Sequence, residues 1–191
     1  QALHPSQEKL YPTVLCEELH GQQVLIVGYG DIGRAIEARL LPFGVEIVRV
    51  ARRAREGVYG VEKLMDLLPA ADVVILIVPF TSETTGMIGS QQITRMKQGA
   101  LLVNAARGPV VDTDALLAAL HEGRIQAAID VTDPEPLPDA HPLWSAPNLL
   151  ITPHIAGSTP MFMRRAMQFA AAQVGRYLRG EPLENQVIGE Y

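Results

Sequence analysis

This sequence of 191 residues has little cysteine, no excess of positive charge and no long apolar run. Its single cysteine, Cys16, excludes an intramolecular disulfide and fits a reducing, cytoplasmic setting. The formal net charge of −5 disfavours nucleic acid or an anionic membrane as the main partner. The longest apolar run, 73–78, is too short to span a bilayer. With 48% hydrophobic and 19% charged residues, the chain is nevertheless predicted to be globular, with a sizeable core.

A glycine-rich stretch follows the first apolar run and precedes a helical pattern. Gly28 allows a tight turn, Gly30 lets the backbone approach phosphates, and Gly33 lets the helix pack closely on the strand. The N-terminus of that helix offers N–H groups and a partial positive charge to an anion. This context predicts a dinucleotide site rather than an ordinary glycine-rich turn, which is the alternative. The predicted pyrophosphate cradle comprises Gly28, Tyr29, Gly30, Asp31, Ile32 and Gly33.

Short apolar strands alternate with helices along most of the chain. The predicted strands span 24–27, 45–50, 71–78, 100–103, 126–131 and 149–152, and the predicted helices span 34–41, 61–68, 91–96, 113–122 and 159–179. Strands that are apolar throughout are typical of a parallel sheet covered on both faces, so we predict an α/β, doubly wound Rossmann fold. The predicted organisation is a connector over 1–20, a dinucleotide-binding domain over 21–158, and a C-terminal helix and tail over 159–191.

The position that usually selects between NAD and NADP lacks its acid. An Asp or Glu about 20 residues after the glycines normally binds the ribose hydroxyls of NAD. Here Ala51 occupies that place and removes the carboxylate that would repel a 2′-phosphate. Arg52 and Arg53 follow, and their guanidinium groups suit phosphate. The sequence therefore favours NADP(H), with NAD as the alternative if these arginines form only a solvated turn.

Three polar residues follow three predicted strands: Arg107, Glu135 and His154. Because the carboxyl ends of parallel strands form the ligand crevice, we expect these side chains to converge there. An arginine can bind the carboxylate of a 2-oxo acid in bidentate fashion. A histidine titrates near neutral pH and can supply a proton as hydride arrives, while a carboxylate orients its ring. Each residue alone could be structural or solvated. No metal site is predicted.

Four motifs, 28–33, 104–112, 130–137 and 153–157, resemble the signatures of the D-isomer-specific 2-hydroxyacid dehydrogenases, in order and over nearly the whole chain. The resemblance implies that Arg107 binds substrate, that His154 is the catalytic acid/base, and that Glu135 is the partner of His154. It also implies that Asp130 contacts the nicotinamide carboxamide. Further cofactor contacts are expected from Val78, Pro79, Ala105, Ala106, His154 and Gly157.

Within this family, the missing acid at Ala51 resembles the NADP-preferring glyoxylate/hydroxypyruvate reductase branch. The implied reaction is NADPH-dependent reduction of a small 2-oxo acid to the D-2-hydroxy acid. Formate dehydrogenases of the same superfamily carry Gln where Glu135 stands, which argues against that activity.

The chain departs from the family in length. Family members begin with a substrate domain, whereas only some twenty residues precede the first strand here. The chain is thus expected to be a cofactor domain cut from a longer enzyme or a naturally shortened relative, with the helix over 159–179 returning to the missing domain. Alone, it is expected to bind NADP(H) but to be weakly active or inactive. The resemblance further implies a homodimer, to which 133–144 contributes unless Trp144 plugs the sheet edge.

Two other functions stand beside this prediction. Corepressor relatives of the family act as NAD(P)-sensing interaction modules and can retain the catalytic residues, so turnover of glyoxylate or hydroxypyruvate is what distinguishes them. Nucleic-acid binding through the basic run 49–55 is disfavoured by the acidic net charge.

Overall fold

A seven-stranded, fully parallel sheet forms the centre of the computed structural model, which describes residues 18–186. The spatial order of the strands is β3-β2-β1-β4-β5-β6-β7, so the chain winds outward from β1 in both directions. The strands are β1 (Gln23–Val27), β2 (Glu46–Ala51), β3 (Tyr59–Gly60), β4 (Val73–Leu76), β5 (Leu101–Asn104), β6 (Gln126–Ile129) and β7 (Leu149–Ile151). This arrangement confirms the predicted doubly wound α/β fold.

Five α-helices accompany the sheet within the described residues: α1 (Asp31–Leu40), α2 (Leu64–Leu67), α3 (Ser90–Arg95), α4 (Thr113–His121) and α5 (Phe162–Leu178). Single 3₁₀ turns occur at Leu41–Phe43, Val61–Lys63, Leu68–Ala70, Gly108–Val110 and Pro142–Ser145. The predicted cap of α4 is confirmed, since Asp112 Oδ1 accepts a hydrogen bond of 2.9 Å from the amide of Ala115.

The central strands β1 and β4 are buried because helices pack against both faces of the sheet there. Alternate residues of β1 and β4 enter two separate apolar clusters, with Leu25 and Leu76 in one and Ile26 and Ile75 in the other. Residues of α1 pack against the second cluster, whereas residues of α2, α3 and α4 belong to the first. Because both faces of these strands are buried, every residue along them must be apolar, as the sequence pattern predicts.

Several predicted boundaries differ from the structure. Helix α1 begins at Asp31, three residues before the predicted start, because Gly33 belongs to its first turn. Of the predicted strand over 71–78, only Val73–Leu76 forms β4, and residues 77–78 belong to the wall of a cavity. The predicted helix over 61–68 is a short α-helix between two 3₁₀ turns. Strand β3 was not predicted because two residues carry no periodic pattern.

The C-terminal helix α5 has no buried residue. Its exposed apolar side chains include Phe162, Met167 and Phe169. The predicted domain boundary at 158/159 remains a prediction, and the connector over 1–20 and Cys16 lie almost entirely outside the described residues. Trp144 is 55% exposed, with Nε1 donating to the carbonyl of Pro138, so it does not plug the sheet edge. Among the helices within residues 18–186, none combines the length and hydropathy needed to cross a membrane.

Candidate functional site

A cavity of about 890 Å³ opens at the carboxyl edge of the sheet, in the size range of small-molecule sites. It lies where the winding of the sheet reverses, between the ends of β1 and β4. Most predicted cofactor residues line it: Gly28, Tyr29, Gly30, Asp31, Ile32, Ala51, Arg52, Val78, Pro79, Ala105 and Ala106, together with Arg107. The other predicted residues, Gly33, Arg53, Asp130, Glu135, His154 and Gly157, are outside its lining.

The glycine-rich turn is shaped by contacts that only glycine permits. Gly28 has φ +107°, and a Cβ there would lie 2.6 Å from the carbonyl carbon and oxygen of Ile77. A Cβ on Gly33 would lie 3.0 Å from the carbonyl oxygen of Gly28, so α1 packs tightly against the turn. A Cβ on Gly30, in contrast, would meet nothing within 4 Å. The backbone at Gly30 is thus open to the cavity, and the cradle fits a dinucleotide pyrophosphate at the N-terminus of α1.

A polar cluster of Tyr29, Glu37 and Arg49, which the sequence did not reveal, holds this turn in place. Glu37 of α1 is buried and accepts hydrogen bonds from the Tyr29 hydroxyl and from Arg49, whose Nε lies 2.8 Å from Oε2. The Arg49 guanidinium holds the pKa of Glu37 below its usual value, with a further contribution from Tyr29 and against the effect of burial. The Arg49 guanidinium also lies 5.6 Å from the centre of the Tyr29 ring. The cluster therefore ties the glycine-rich turn to α1 and β2.

Replacement of Glu37 with Gln is expected to lower the free energy of unfolding by about 2–3 kcal/mol, because Arg49 loses its charged partner in a largely buried site. The wild-type contribution is present above the ordinary carboxyl pKa of 4.5 and is lost as pH falls through the lower folded pKa. Urea unfolding at pH 7 and pH 4 measures both effects. Asp66→Asn, which breaks an exposed pair with Lys63, is the control and should change stability by less than about 1 kcal/mol.

Of the two arginines expected to meet a 2′-phosphate, only Arg52 is at the rim of the cavity. Arg52 lines the cavity, and the exposed Arg53 has no hydrogen-bond or ion-pair partner among residues 18–186. Arg52 is paired, however, with Glu83 from the loop after β4. The rest of the basic run serves internal contacts, since Arg49 pairs with Glu37 and Arg55 donates to the carbonyl of Tyr29. The run over 49–55 is consequently not a continuous free basic surface.

Arg107 reaches the cavity at the end of β5. Buried Asn104 holds the turn before it, since its Oδ1 accepts from the Ala106 amide at 3.0 Å and its Nδ2 donates to the Arg107 carbonyl at 3.0 Å. A Cβ on Gly108 would lie 1.9 Å from the carbonyl oxygen of Thr132, so the loops after β5 and β6 touch. No carboxylate in the described part of the chain pairs with Arg107. Its Nη1 donates to the Ala106 carbonyl at 2.6 Å, so the guanidinium keeps its other N–H groups for an anion.

His154 and Glu135 meet as predicted, although they come from different loops. Nδ1 of His154 lies 2.7 Å from Oε1 of Glu135, and both side chains are partly exposed. This contact leaves Nε2 of the imidazole for another partner. The sequence predicted this pair, and the structure adds the distance between the two side chains.

Asp130 anchors the loop that carries His154. Its Oδ1 accepts from the Thr152 hydroxyl at 2.6 Å and from the Ile155 amide at 2.9 Å, and its Oδ2 accepts from the Ala156 amide at 2.8 Å. Burial by itself raises the pKa of Asp130, but these hydrogen bonds outweigh it and hold the pKa below its usual value. The carboxylate thus supports the left-handed backbone of His154, at φ 53°. Contact of Asp130 with a nicotinamide remains a prediction.

The carboxyl edge of the sheet therefore carries the cavity, the Arg107 guanidinium in its wall, and an imidazole–carboxylate pair outside its lining. Within the described residues, no cluster of three or more His, Cys, Asp or Glu side chains could hold a metal ion. The arrangement can bind a small anion and transfer a proton beside a bound dinucleotide.

Comparison with known proteins agrees with this geometry. The family model for the D-isomer specific 2-hydroxyacid dehydrogenase, NAD binding domain, matches residues 4–156. A glyoxylate reductase of Thermofilum pendens is 42% identical over 171 residues, covering 86% of this chain and 50% of that protein.

Solved structures of proteins from the same family also superpose on this chain. A D-isomer specific 2-hydroxyacid dehydrogenase from Xanthobacter autotrophicus Py2, in complex with NADPH and MES, superposes with a TM-score of 0.83 at 35% identity, covering 96% of this chain and 80% of that one. An NADPH-dependent glyoxylate/hydroxypyruvate reductase from Sinorhizobium meliloti, in complex with NADP and sulfate, has a TM-score of 0.85 at 26% identity, covering 95% and 62%. The chain spans about half the length of the curated relatives it matches.

Proposed function

This chain belongs to the D-isomer specific 2-hydroxyacid dehydrogenase family, and we propose that it supports NADPH-dependent reduction of a small 2-oxo acid, of the glyoxylate or hydroxypyruvate type, to the D-2-hydroxy acid. The observation that carries the proposal is the 2.7 Å contact between His154 Nδ1 and Glu135 Oε1, in the loops that follow β7 and β6 at the same edge of the sheet as the cavity. An imidazole oriented by a carboxylate, at the same edge of the sheet as the Arg107 guanidinium, suits proton delivery to a carboxylate-bearing substrate.

The residues of the chain divide the chemistry among them. A nicotinamide dinucleotide held by the glycine-rich turn would supply a hydride to the substrate carbonyl carbon. Arg107, which has no acidic partner within residues 18–186, binds the substrate carboxylate and orients the carbonyl. His154 donates a proton from Nε2 to the carbonyl oxygen as negative charge develops there. Glu135 holds the ring by Nδ1 and stabilises the imidazolium that precedes proton donation.

Steady-state oxidation of NADPH with glyoxylate and with hydroxypyruvate tests the proposal in the protein that carries this chain. Turnover with either substrate supports it. Tight NADPH binding without turnover of either would instead support the NAD(P)-sensing module of the corepressor type. A panel of other 2-oxo acids would show whether the substrate class has been chosen correctly.

The proposed cofactor preference is for NADPH. Ala51 places no carboxylate at the end of β2, while Arg52 lines the cavity and the exposed Arg53 follows it in sequence. NADPH is expected to bind about tenfold more tightly than NADH, a modest ratio because exposed charge pairs are strongly screened. Calorimetric titration of both cofactors measures the ratio. Equal affinities, or tighter binding of NADH, would contradict the preference.

A further inference from the structure

The end of β2 has no acidic residue, but Glu83, from the loop after β4, places a carboxylate at the rim of the cavity. Oε1 of Glu83 lies 2.5 Å from Nη2 of Arg52, although the two residues are 31 positions apart. Both residues line the cavity, and their side chains are more than half exposed. The arginine expected to meet a 2′-phosphate therefore already has an anionic partner.

The loop that presents Glu83 is held in place by its neighbour. Thr84 is buried, and its hydroxyl donates to the Pro79 carbonyl at 2.8 Å and accepts from the Thr81 amide at 2.8 Å. The Thr84 amide also donates to the Thr81 carbonyl at 3.1 Å. Since the backbone on either side of Glu83 is fixed to the end of β4, the carboxylate is kept close to the rim of the cavity.

We propose that Glu83 is a specificity-determining residue that competes with the 2′-phosphate of NADPH for Arg52 and so limits the preference for NADPH over NADH. This inference rests on the proposed cofactor site. A 2′-phosphate that approaches Arg52 must displace the Glu83 carboxylate and also meets its negative charge. The 2′-hydroxyl of NADH carries no charge and, as a hydrogen-bond donor, is compatible with a carboxylate at the same place.

The fold does not depend on this ion pair. Exposed pairs of this kind contribute little to stability, and the loop is fixed through Thr84 rather than through Glu83. Glu83→Gln should therefore fold normally while it removes one negative charge from the rim. That property makes the variant a direct probe of cofactor choice.

The test is calorimetric titration of the wild type, Glu83→Gln and Glu46→Gln with four ligands: NADPH, NADH, 2′,5′-ADP and 5′-AMP. Glu46→Gln is the matched control, because Glu46 is an exposed residue at the amino end of β2, at the opposite edge of the sheet. Glu83→Gln is expected to tighten NADPH and 2′,5′-ADP by about threefold to tenfold, while NADH and 5′-AMP change by less than about twofold. Glu46→Gln should leave all four dissociation constants nearly unchanged.

The decisive quantity is the NADPH-to-NADH affinity ratio of Glu83→Gln divided by that of the wild type. A quotient near one overturns the role of Glu83, as does an equal change for all four ligands or the same change in Glu46→Gln. The quotient can be measured whichever cofactor the wild type prefers. A wild type that prefers NADH would contradict the proposed cofactor preference, but a raised quotient would still support competition at Arg52.

Discussion

Replacement of His154 with Gln is expected to lower kcat for reduction of glyoxylate or hydroxypyruvate by about 10²–10⁴, because the proton donor is removed from the substrate oxygen. Glutamine can occupy a similar volume but cannot supply a proton of suitable acidity. NADPH binding is expected to persist, because His154 does not line the cavity. Steady-state kinetics with NADPH, together with calorimetric titration of the cofactor, separate the two effects.

The matched control for this variant is His121→Gln. His121 is exposed at the last turn of α4, outside the lining of the cavity, and its replacement should leave kcat unchanged. A His154→Gln variant that retains wild-type turnover would show that another group supplies the proton. Loss of NADPH affinity by the same factor as kcat would instead indicate that the loop carrying His154 had collapsed.

Replacement of Gly28 with Ala is expected to lower the free energy of unfolding by about 3 kcal/mol or more, since the change adds backbone strain to a steric overlap. The residue has φ +107°, and the new Cβ would lie 2.6 Å from backbone atoms of Ile77. The backbone segments that follow β1 and β4 would have to separate to admit it. Urea unfolding followed by circular dichroism measures the loss.

Gly30→Ala is the matched comparison, because a Cβ there meets no atom within 4 Å. This variant is expected to keep its stability within about 1 kcal/mol of the wild type while the Kd for NADPH rises about tenfold or more, since the methyl group occupies space needed by the pyrophosphate. It remains informative even if Gly28→Ala fails to fold. Equal stability losses in both variants, or unchanged NADPH binding in Gly30→Ala, would contradict this division of roles.

Much of the fold was predictable because its signals are local. The apolar strands, the Gly28–Gly33 spacing and the Asp112 cap each depend on neighbouring residues, and all three appear in the structure. The errors fall where local signals are weak, as at β3 with its two residues. The start of α1 was also predicted too late, because Gly33 belongs to the glycine-rich motif and was assigned to the turn, although it lies within the helix.

The pairing of Glu135 with His154 was inferred from the resemblance together with a topological rule. Residues that follow parallel strands share one edge of the sheet, so polar residues at those positions are expected to meet. The sequence could not show that Asp130 would hold the His154 loop, nor that Gly108 would touch the backbone of Thr132. Those contacts depend on the distance between loops in space, which cannot be read from the spacing of residues along the chain.

By itself, the sequence determined the fold class, the family and the residue types of the site, because periodicity, glycine spacing and strand-end motifs are properties of short segments. Only the tertiary structure decided which charges are free. It pairs Arg49 with Glu37 beneath the cradle and Arg52 with Glu83 across its rim, while Arg107 has no acidic partner among the described residues. The strength of a charge interaction depends on the distance between the charges in space, which their order along the chain does not give. Arg49 and Glu37 are 12 positions apart in the sequence, and Arg52 and Glu83 are 31 positions apart.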